Sequence, residues 1–261
     1  MPVDNQLYNH NAHGWWDENN FLHTLKTGLN PARFAYFQKI LRANRPALPP
    51  APVSMLDLGC GGGLLAEEFA RIGCRVTGID PSAASLISAR NHALACGLAI
   101  HYLCGPGETL PFDNSQFHLL TCCDVLEHVN NLPAVLAESA RVLQPGGIFL
   151  FDTINRTFKS YFENIFIAQD FPLTSFFPKN THAWSQFIRP TNLTLMLARL
   201  GLQVREITGI GPGIHPLRVA LLLLRHKTRK ITYAELGRQL KFTTTTDISA
   251  SYIGWAVKAR S

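Results

Sequence analysis

The sequence has no run of apolar residues that approaches the length of a membrane-spanning helix, and its six cysteines form no C-x-x-C pair. A helix needs about 20 consecutive apolar residues to cross a bilayer, so we predict no transmembrane segment. Cysteines scattered through apolar stretches act as small hydrophobic residues, and we expect reduced thiols. The beginning of the chain lacks a cationic start followed by an apolar segment, so we expect no secretory signal and predict a cytoplasmic protein.

Charged side chains are also scarce. Asp, Glu, Lys and Arg make up 16% of the 261 residues, whereas hydrophobic residues make up 46%. This composition suits one sizeable α/β domain with additions rather than a disordered chain or a membrane protein. The formal net charge of +6 permits weak attraction to anionic surfaces. Such an excess is more often only a solvated surface, and we predict no nucleic-acid partner.

A glycine-rich segment, VSMLDLGCGGG, occupies residues 53–63 and is followed at once by the helix-like LLAEEFARIG. Gly59, Gly61 and Gly63 permit positive φ angles and a close approach of a ligand to the backbone. The free N–H groups at the helix start add an electropositive rim. The next apolar run ends in Asp80, at the spacing expected for a ribose contact. The pattern predicts a nucleoside-bearing cofactor, and the glycines alone fit more than one such cofactor.

Apolar runs and helix-like segments alternate from residue 53 to residue 153. This alternation predicts an α/β fold with a Rossmann-like, doubly wound and mostly parallel sheet, in which ligands bind beyond the carboxyl ends of the strands. The predicted strands are 53–58, 74–79, 99–103, 117–123 and 147–153, and the predicted helices are 64–72, 82–96 and 132–143.

The composition divides the chain into four parts. Residues 1–52 form an N-terminal helical cap, and residues 53–153 form the cofactor-binding core. Residues 154–190, rich in Phe, Tyr, Asn and Pro, are too long for a plain connection, and such insertions are often lids over a binding site. Residues 191–261 complete the core. They include a basic, leucine-rich insertion at 215–241, which suits either an interfacial amphipathic helix or a helix buried on one side.

Arg33 stands in the first turn of a predicted helix. Asn30 suits the N-cap, and Pro31 suits the first helical position. A basic residue there opposes the helix dipole, so local structure gives no reason for Arg33. This favours a role such as binding a carboxylate, while an ordinary surface arginine is equally consistent with the sequence.

The apolar run at 117–123 leads into Asp124, Glu127 and His128. At spacing i, i+3 and i+4 on a helical turn, these side chains would share one face. Two carboxylates and an imidazole suit a hard divalent cation, Mg²⁺ above all. They suit an acid/base cluster equally well, and Asp124 could also cap a helix.

Several motifs along the chain are typical of one family. They are WWDENN, NPARFAYF, DLGCGGGLLAEEFARIGCRVTGID, HALACGL, CDVLEHV, TINRTFKSY, FPKNTHAWSQFIRP and DISASYIGWAVKAR. Together they resemble the ubiquinone-biosynthesis O-methyltransferases, which are class I methyltransferases dependent on S-adenosylmethionine (SAM). The resemblance favours SAM over NAD and implies a mostly parallel sheet of seven strands. It also implies an enzyme that methylates a hydroxyl of a polyprenylated catechol or of demethylubiquinol.

The resemblance implies roles for individual residues. The positions that would contact SAM are Arg33, Gly59, Gly61, Asp80 and Cys123. The family's E-x-x-E-H metal group falls on Asp124, Glu127 and His128, with aspartate in place of the first glutamate. Glu127 and His128 would be catalytic, and His182 in FPKNTH would contact the substrate.

Two features depart from the family pattern. Pro106 stands where many relatives carry an acid for the adenine amino group, and the 215–241 stretch is longer. The implied partners are a lipid quinol or phenol, the inner face of a membrane as a peripheral contact, and a biosynthetic complex. The sequence leaves open another catechol-like or natural-product acceptor, a non-catalytic SAM-binding subunit, and a metal-free reaction with His128 as general base.

Overall fold

The computed structural model describes residues 6–44, 48 and 52–260. Residues 1–5, 45–47 and 49–51 of the predicted N-terminal cap therefore lie outside the described residues, as does Ser261. Within the described part of the cap, a helix runs from Asn30 to Ala43. The predicted N-cap role of Asn30 is wrong, because the π-helical segment Leu25–Leu29 runs directly into this helix and Asn30 is its first residue. The Asn30 side chain accepts a hydrogen bond from Arg33 instead.

Within the described residues, one mixed sheet of eight strands forms the centre of the molecule. The strands are β1 (Ser54–Leu58), β2 (Arg75–Asp80), β3 (His101–Cys104), β4 (Phe117–Cys122), β5 (Leu143–Ile154), β6 (Leu202–Pro212), β7 (Phe242–Thr245) and β8 (Ser251–Lys258). Their order across the sheet is β3-β2-β1-β4-β5-β8-β6-β7. Neighbours from β3 to β5 pair in parallel, whereas β8, β6 and β7 run antiparallel to their neighbours.

Helices cover both faces of this sheet. They are α1 (Gln6–His10), α2 (Asn30–Ala43), α3 (Leu64–Arg71), α4 (Ala83–Ala95), α5 (Leu132–Val142), α6 (Phe158–Ser160), α7 (Pro190–Arg199), α8 (Pro216–Lys227) and α9 (Tyr233–Leu240). Short 3₁₀ segments lie at Ala12–Trp16 and Trp184–Gln186, and π-helical segments lie at Leu25–Leu29 and Tyr161–Asp170. The starts of α4 and α5 are capped, since the side chains of Ser82 and Asn131 each accept a backbone N–H.

The core lies in two layers because successive residues of a strand point to opposite faces. Leu119 of β4 packs on the face covered by α2 and α3, beside Phe37 and Phe69. Leu120 points the other way and packs beside Leu136 of α5. All five side chains are fully buried. Burial of each contributes about 1.5–3 kcal/mol to stability, which fixes the helices against the strand ends that carry the site.

The sheet differs from the predicted seven strands: it has eight, and three of them are antiparallel to their neighbours. The additional strand is β7, whose residues 242–245 pair with Gly209–Pro212 of β6. Its threonines are exposed, so no alternation of apolar and polar residues marked it as a strand. β-Branched side chains favour extended backbone, and an edge strand needs hydrogen bonds on one side only.

The two predicted insertions both fold. The first leaves the sheet after β5 and returns to it, since the backbone N–H of Ile188 donates to Ile154 O at 3.0 Å. The second contains α8 and α9. A Cβ on Gly237 of α9 would lie 3.0 Å from the backbone nitrogen of Gly28, so the close approach of α9 to the N-terminal cap leaves little room for a side chain. Nowhere in residues 6–44, 48 and 52–260 does a helix combine the length and the apolar character that crossing a bilayer demands.

Candidate active site

A cavity of about 320 Å³ lies beyond the carboxyl ends of β1, β2 and β4. Its size is within the range of small-molecule pockets. The position is the one that the sheet topology predicts for a ligand. The predicted site residues that line it are Arg33, Gly59, Gly61, Asp80, Cys123, Asp124 and His128.

The glycine loop between β1 and α3 forms one wall of the cavity. Gly59 has a φ of +74° and Gly61 a φ of +49°. A Cβ on Gly59 would lie 2.2 Å from Val125 Cγ2, and one on Gly61 would lie 2.6 Å from the Trp15 ring. Glycine is therefore required at both positions for backbone conformation and for space. Asp80 steadies the loop, since its Oδ2 accepts from Gly61 N at 2.9 Å.

The two adjacent tryptophans close over the glycine loop. Trp16 Nε1 donates to Gly62 O at 3.0 Å, and Trp15 Nε1 donates to Ser85 Oγ at 3.0 Å. The ring of Tyr8 stacks on Trp15 with centroids 6.2 Å apart. The sequence assigned no role to Tyr8, which lines the cavity. The apolar residues of the short helix α1 show no helical spacing in the sequence, so the position of Tyr8 at the cavity depends on tertiary packing.

Arg33 is buried, with 3% of its surface exposed, and four hydrogen bonds hold its guanidinium. It donates to both carboxylate oxygens of Asp152, to Asn30 Oδ1 and, at 2.6 Å, to Asp124 Oδ2. Asp152 also accepts from Asp124 N at 3.0 Å. No feature of the sequence singled out Asp152, which lies near the end of β5, two residues before Ile154.

Residues 124–128 form a turn and not the predicted helical turn. Asp124 has a φ of +53°, and His128 N donates to Val125 O at 2.8 Å. The prediction that Asp124, Glu127 and His128 share one face of a helical turn is therefore wrong. The bonds of Asp124 to Arg33 and Asp152 hold its backbone in the left-handed region, which residues within a right-handed α-helix do not adopt. The next helix, α5, begins only at Leu132.

Glu127 is buried and is not among the residues that line the cavity. Its Oε2 accepts from Thr153 Oγ1 at 2.8 Å, and its Oε1 has no hydrogen-bond partner within the part of the chain that is described. Burial, together with the nearby Asp124 carboxylate, raises the pKa of Glu127 to about 8. Glu127 is therefore largely protonated at neutral pH.

His128 is buried at the cavity wall between two aromatic rings. Its ring centroid lies 5.9 Å from that of Tyr8 and 5.2 Å from that of His182. The structure thus brings His182 of the FPKNTH segment to the site. Burial lowers the pKa of His128 to about 4, although Asp124 opposes this shift. The imidazole is neutral at physiological pH and can accept a proton.

Asp124, Glu127 and His128 have the donor chemistry of an Mg²⁺ site. In the described chain, however, they are not a group whose three ligand atoms lie within 4.8 Å of one another. The Asp124 carboxylate is engaged by Arg33, and one oxygen of Glu127 is engaged by Thr153. These donors do not form an assembled cation site in this conformation.

Asp57, at the cavity floor, gives the fold a pH dependence. Thr121 Oγ1 donates to its Oδ1 at 2.6 Å, while its Oδ2 has no hydrogen-bond partner within the described chain. Burial raises the pKa of Asp57 to about 7, against the opposing effects of Thr121 and Arg33. Because this exceeds the unfolded value of about 3.9, the folded protein holds a proton that the unfolded chain has lost.

We expect protonated Asp57 to make its full contribution to the free energy of unfolding at pH values below its unfolded pKa. This contribution should be lost as the pH rises through about 7. Asp57→Asn should flatten the fall in unfolding free energy across this window, by at most about 1.4 kcal/mol per pH unit. Urea unfolding of both proteins at a series of pH values measures the effect. Equal pH slopes in the two proteins would contradict the assignment.

The fold and this cavity define the class of protein. A family model described as a methyltransferase domain matches residues 56–151. A SAM-dependent methyltransferase from Methanosarcina mazei superposes with a TM-score of 0.58 at 17% identity, covering 84% of this chain and 98% of that one. Magnesium protoporphyrin IX methyltransferase from Synechocystis superposes with a TM-score of 0.56 at 18% identity, covering 86% and 81%. The protein is a SAM-dependent methyltransferase.

Relatives with higher sequence identity identify the family within this class. A ubiquinone biosynthesis O-methyltransferase from Coxiella burnetii is 37% identical over 207 residues, which are 79% of this chain and 83% of the relative. One from Burkholderia pseudomallei is 35% identical over 217 residues, or 83% and 88% of the two chains. The chain belongs to the ubiquinone biosynthesis O-methyltransferase family, as its motifs predicted.

Proposed function

We propose that this protein transfers the methyl group of SAM to a hydroxyl of a polyprenylated catechol or of demethylubiquinol in ubiquinone biosynthesis. The observation that carries the proposal is the shared cavity. The neutral imidazole of His128 lines the same space as the glycine loop and Asp80. Methylation of a hydroxyl needs a methyl donor and a proton acceptor side by side. The names of the relatives support the acceptor class.

The charges around the cavity suit SAM, which carries a sulfonium, an ammonium and a carboxylate. Among the described residues that line it, Arg33 is the one lysine or arginine. The acids that line it are Asp57, Asp80, Glu108 and Asp124. Acidic side chains attract the sulfonium and the ammonium of SAM, and an arginine attracts its carboxylate. An acid-rich wall with one buried arginine therefore matches a ligand with two cations and one anion.

These positions support an assignment of individual SAM contacts. We assign the carboxylate to Arg33 and the ribose to Asp80, whose carboxylate oxygens retain accepting capacity beside the glycine loop. Gly59 and Gly61 would lie against the cofactor through their backbone. Cys123 would pack beside it, since burial raises the pKa of its thiol and keeps it neutral.

The chemistry of the transfer is an in-line displacement. The acceptor oxygen forms a bond to the methyl carbon as the bond from that carbon to sulfur breaks, which leaves S-adenosylhomocysteine. A phenol has a pKa of about 10, so its proton must be removed. His128 accepts this proton, and His182 beside it helps to hold the acceptor ring. Glu127, which does not line the cavity, supports the turn that positions His128.

Metal assistance is a second way to activate the hydroxyl. The unpartnered Oε1 of Glu127 favours it, because a buried carboxylate oxygen normally has a partner. A divalent ion held by Asp124, Glu127 and His128 would lower the hydroxyl pKa and orient two vicinal oxygens. Its binding would need the Asp124 carboxylate to leave Arg33. Binding of the SAM carboxylate to Arg33 is one event that would release it.

An activity assay tests both levels of this proposal. Labelled SAM is supplied with a short-tailed polyprenyl catechol or with demethylubiquinol, each in Mg²⁺ and in EDTA. Turnover that persists in EDTA supports His128 as the base, and turnover that EDTA removes supports the metal. Transfer only to tailless or natural-product acceptors would contradict the acceptor class. SAM binding without any transfer would indicate a non-catalytic subunit.

The lipid tail of such an acceptor calls for contact with a membrane surface, and α8 has the required face. Leu217, Leu221 and Leu224 are exposed by 75%, 55% and 42%, and their spacing places them on one side of the helix. Leu222 and Leu223 are buried on the opposite side. Further exposed apolar side chains on the 154–190 segment are Phe158, Phe162, Phe166, Leu173 and Trp184.

Basic residues flank these leucines, with Arg225, His226 and Lys227 in the last turn of α8. Lys227 Nζ donates to Ser175 O at 3.3 Å, which joins α8 to the 154–190 segment. An apolar face rimmed by basic residues binds anionic bilayers without crossing them. We therefore propose that both insertions form a peripheral membrane-facing lid.

Replacing Leu217, Leu221 and Leu224 together by serine should remove binding to anionic vesicles. Flotation of the protein with phosphatidylglycerol-containing liposomes measures this, and the loss should be at least about tenfold, because each leucine contributes about 1.5–3 kcal/mol when buried. Leu94 and Leu195 are exposed by 81% and 59% on other helices, so their replacement by serine is the matched control. Equal flotation of wild type and triple variant would leave α8 as an ordinary surface helix.

A further inference from the structure

A second group of metal-ligating side chains lies between α3 and α4. Glu67 belongs to α3, His92 to α4, and Cys96 follows the last residue of α4. In the part of the chain that the structure describes, this is the one group of three such residues whose ligand atoms all lie within 4.8 Å of one another. None of the three lines the SAM cavity. The cluster is therefore separate from the site described above.

One distance within the cluster matches the edge of a tetrahedral site, and a second is about 0.6 Å shorter than such an edge. His92 Nδ1 lies 3.7 Å from Cys96 Sγ and 2.7 Å from Glu67 Oε1. Zinc binds nitrogen at about 2.0–2.1 Å and thiolate at about 2.3 Å, so its ligand atoms lie about 3.3–3.7 Å apart. Spacing i, i+4 puts His92 and Cys96 on one face of the helix. One ion fits if Glu67 Oε1 and His92 Nδ1 move apart by about 0.6 Å.

The charges of the cluster also suit a divalent ion. Glu67 is fully buried, and its other oxygen, Oε2, accepts from Arg71 Nη2 at 2.6 Å. Arg71 can keep this bond while Oε1 binds a metal, because the two oxygens are separate acceptors. Its guanidinium also contacts the Cys96 side chain, so Arg71 adjoins two of the three side chains of the cluster. Cys96 is exposed, so an ion and its fourth ligand, a water molecule, can enter from solvent.

We propose that Glu67, His92 and Cys96 bind one Zn²⁺ ion. Thiolate and imidazole ligands select zinc over magnesium, which prefers oxygen. The site lies directly behind the glycine loop: the His92 ring stacks on Trp16 with centroids 3.3 Å apart, and Trp16 donates to Gly62 O. An ion there ties α3, α4 and the N-terminal segment together.

Metal titration of the purified full chain tests the site. Co²⁺ should bind with one equivalent per chain and give a thiolate-to-cobalt charge-transfer band. Zn²⁺, measured by competition with a chelating dye, should displace it. Cys96→Ser should abolish the band. Both Cys96→Ser and His92→Gln should weaken Zn²⁺ binding by at least about tenfold, because even the loss of a residue that only supports a metal ligand lowers metal affinity by about that much.

The matched control is Cys104→Ser, which removes another exposed cysteine. It should keep the band and the Zn²⁺ affinity of the wild type. Co²⁺ should also quench Trp16 fluorescence, and Trp16→Phe should lose that part of the quenching. The site is refuted if wild type takes up no stoichiometric metal, or if Cys96→Ser binds Zn²⁺ as tightly as wild type while unfolding at the same temperature.

Discussion

Arg33→Leu is expected to abolish SAM binding and to lower the free energy of unfolding by about 3–5 kcal/mol. The buried guanidinium is the hydrogen-bond donor to Asp152 and Asp124, and its loss leaves two carboxylates without their counter-charge. It would also remove the group that we assign to the SAM carboxylate. Calorimetric titration with SAM and urea unfolding measure the two effects separately.

A pH series distinguishes the charge effect from lost packing. Burial raises the pKa of Asp152 to about 6, and Arg33 opposes this rise. Without Arg33 the pKa should rise further, so the carboxyl group would be neutral at mildly acidic pH. Because its folded pKa lies above its unfolded one, the variant should regain stability as pH falls from about 8 to about 5. Arg199→Leu, an exposed arginine in the last turn of α7, is the control. Unchanged SAM affinity in Arg33→Leu would contradict the assignment.

His128→Gln should lower kcat at least about 100-fold and leave the Kd for SAM within about threefold, since a general base contributes about 10²–10⁴ to a rate. Glutamine keeps much of the shape of histidine but cannot accept the proton. His101→Gln, on the exposed start of β3, provides the control. A His128→Gln enzyme with wild-type kcat would exclude the imidazole as the base.

The pH profile gives a second readout for His128. Its pKa of about 4 means that the base is already deprotonated at neutral pH. The wild-type kcat/KM should therefore not fall through protonation of His128 until the pH approaches that value, because only the neutral imidazole accepts a proton. A titration of kcat/KM in the usual histidine range, absent from His128→Gln, would show that burial does not lower this pKa.

The glycine loop and Asp80 could be predicted because their signals are local. The strand, the turn and the next helix follow one another within 53–71, and Asp80 ends the strand that comes next. Arg33 was predicted only in part. The absence of a local reason for it was visible, but Asp152, its partner 119 residues away, was not. Pairing of buried charges at such a separation depends on the sheet order, which composition does not give.

The turn at Asp124 shows why the predicted helical face failed. Three polar residues at i, i+3 and i+4 are compatible with one helical turn, but the spacing does not fix the backbone. Long-range bonds to Arg33 and Asp152 hold Asp124 at positive φ and override the local preference. Tyr8 and the edge strand β7 were missed for a related reason. Their positions depend on packing and pairing with distant segments and not on periodicity.

The most direct test of the central claim compares kcat/KM for a polyprenyl catechol with kcat/KM for the same catechol without its tail. SAM-dependent O-methylation should favour the prenylated acceptor by at least about tenfold, since one buried prenyl unit contributes more than about 1.4 kcal/mol. Equal values for the two acceptors would contradict a site built for a lipid quinol. So would methyl transfer confined to the tailless catechol.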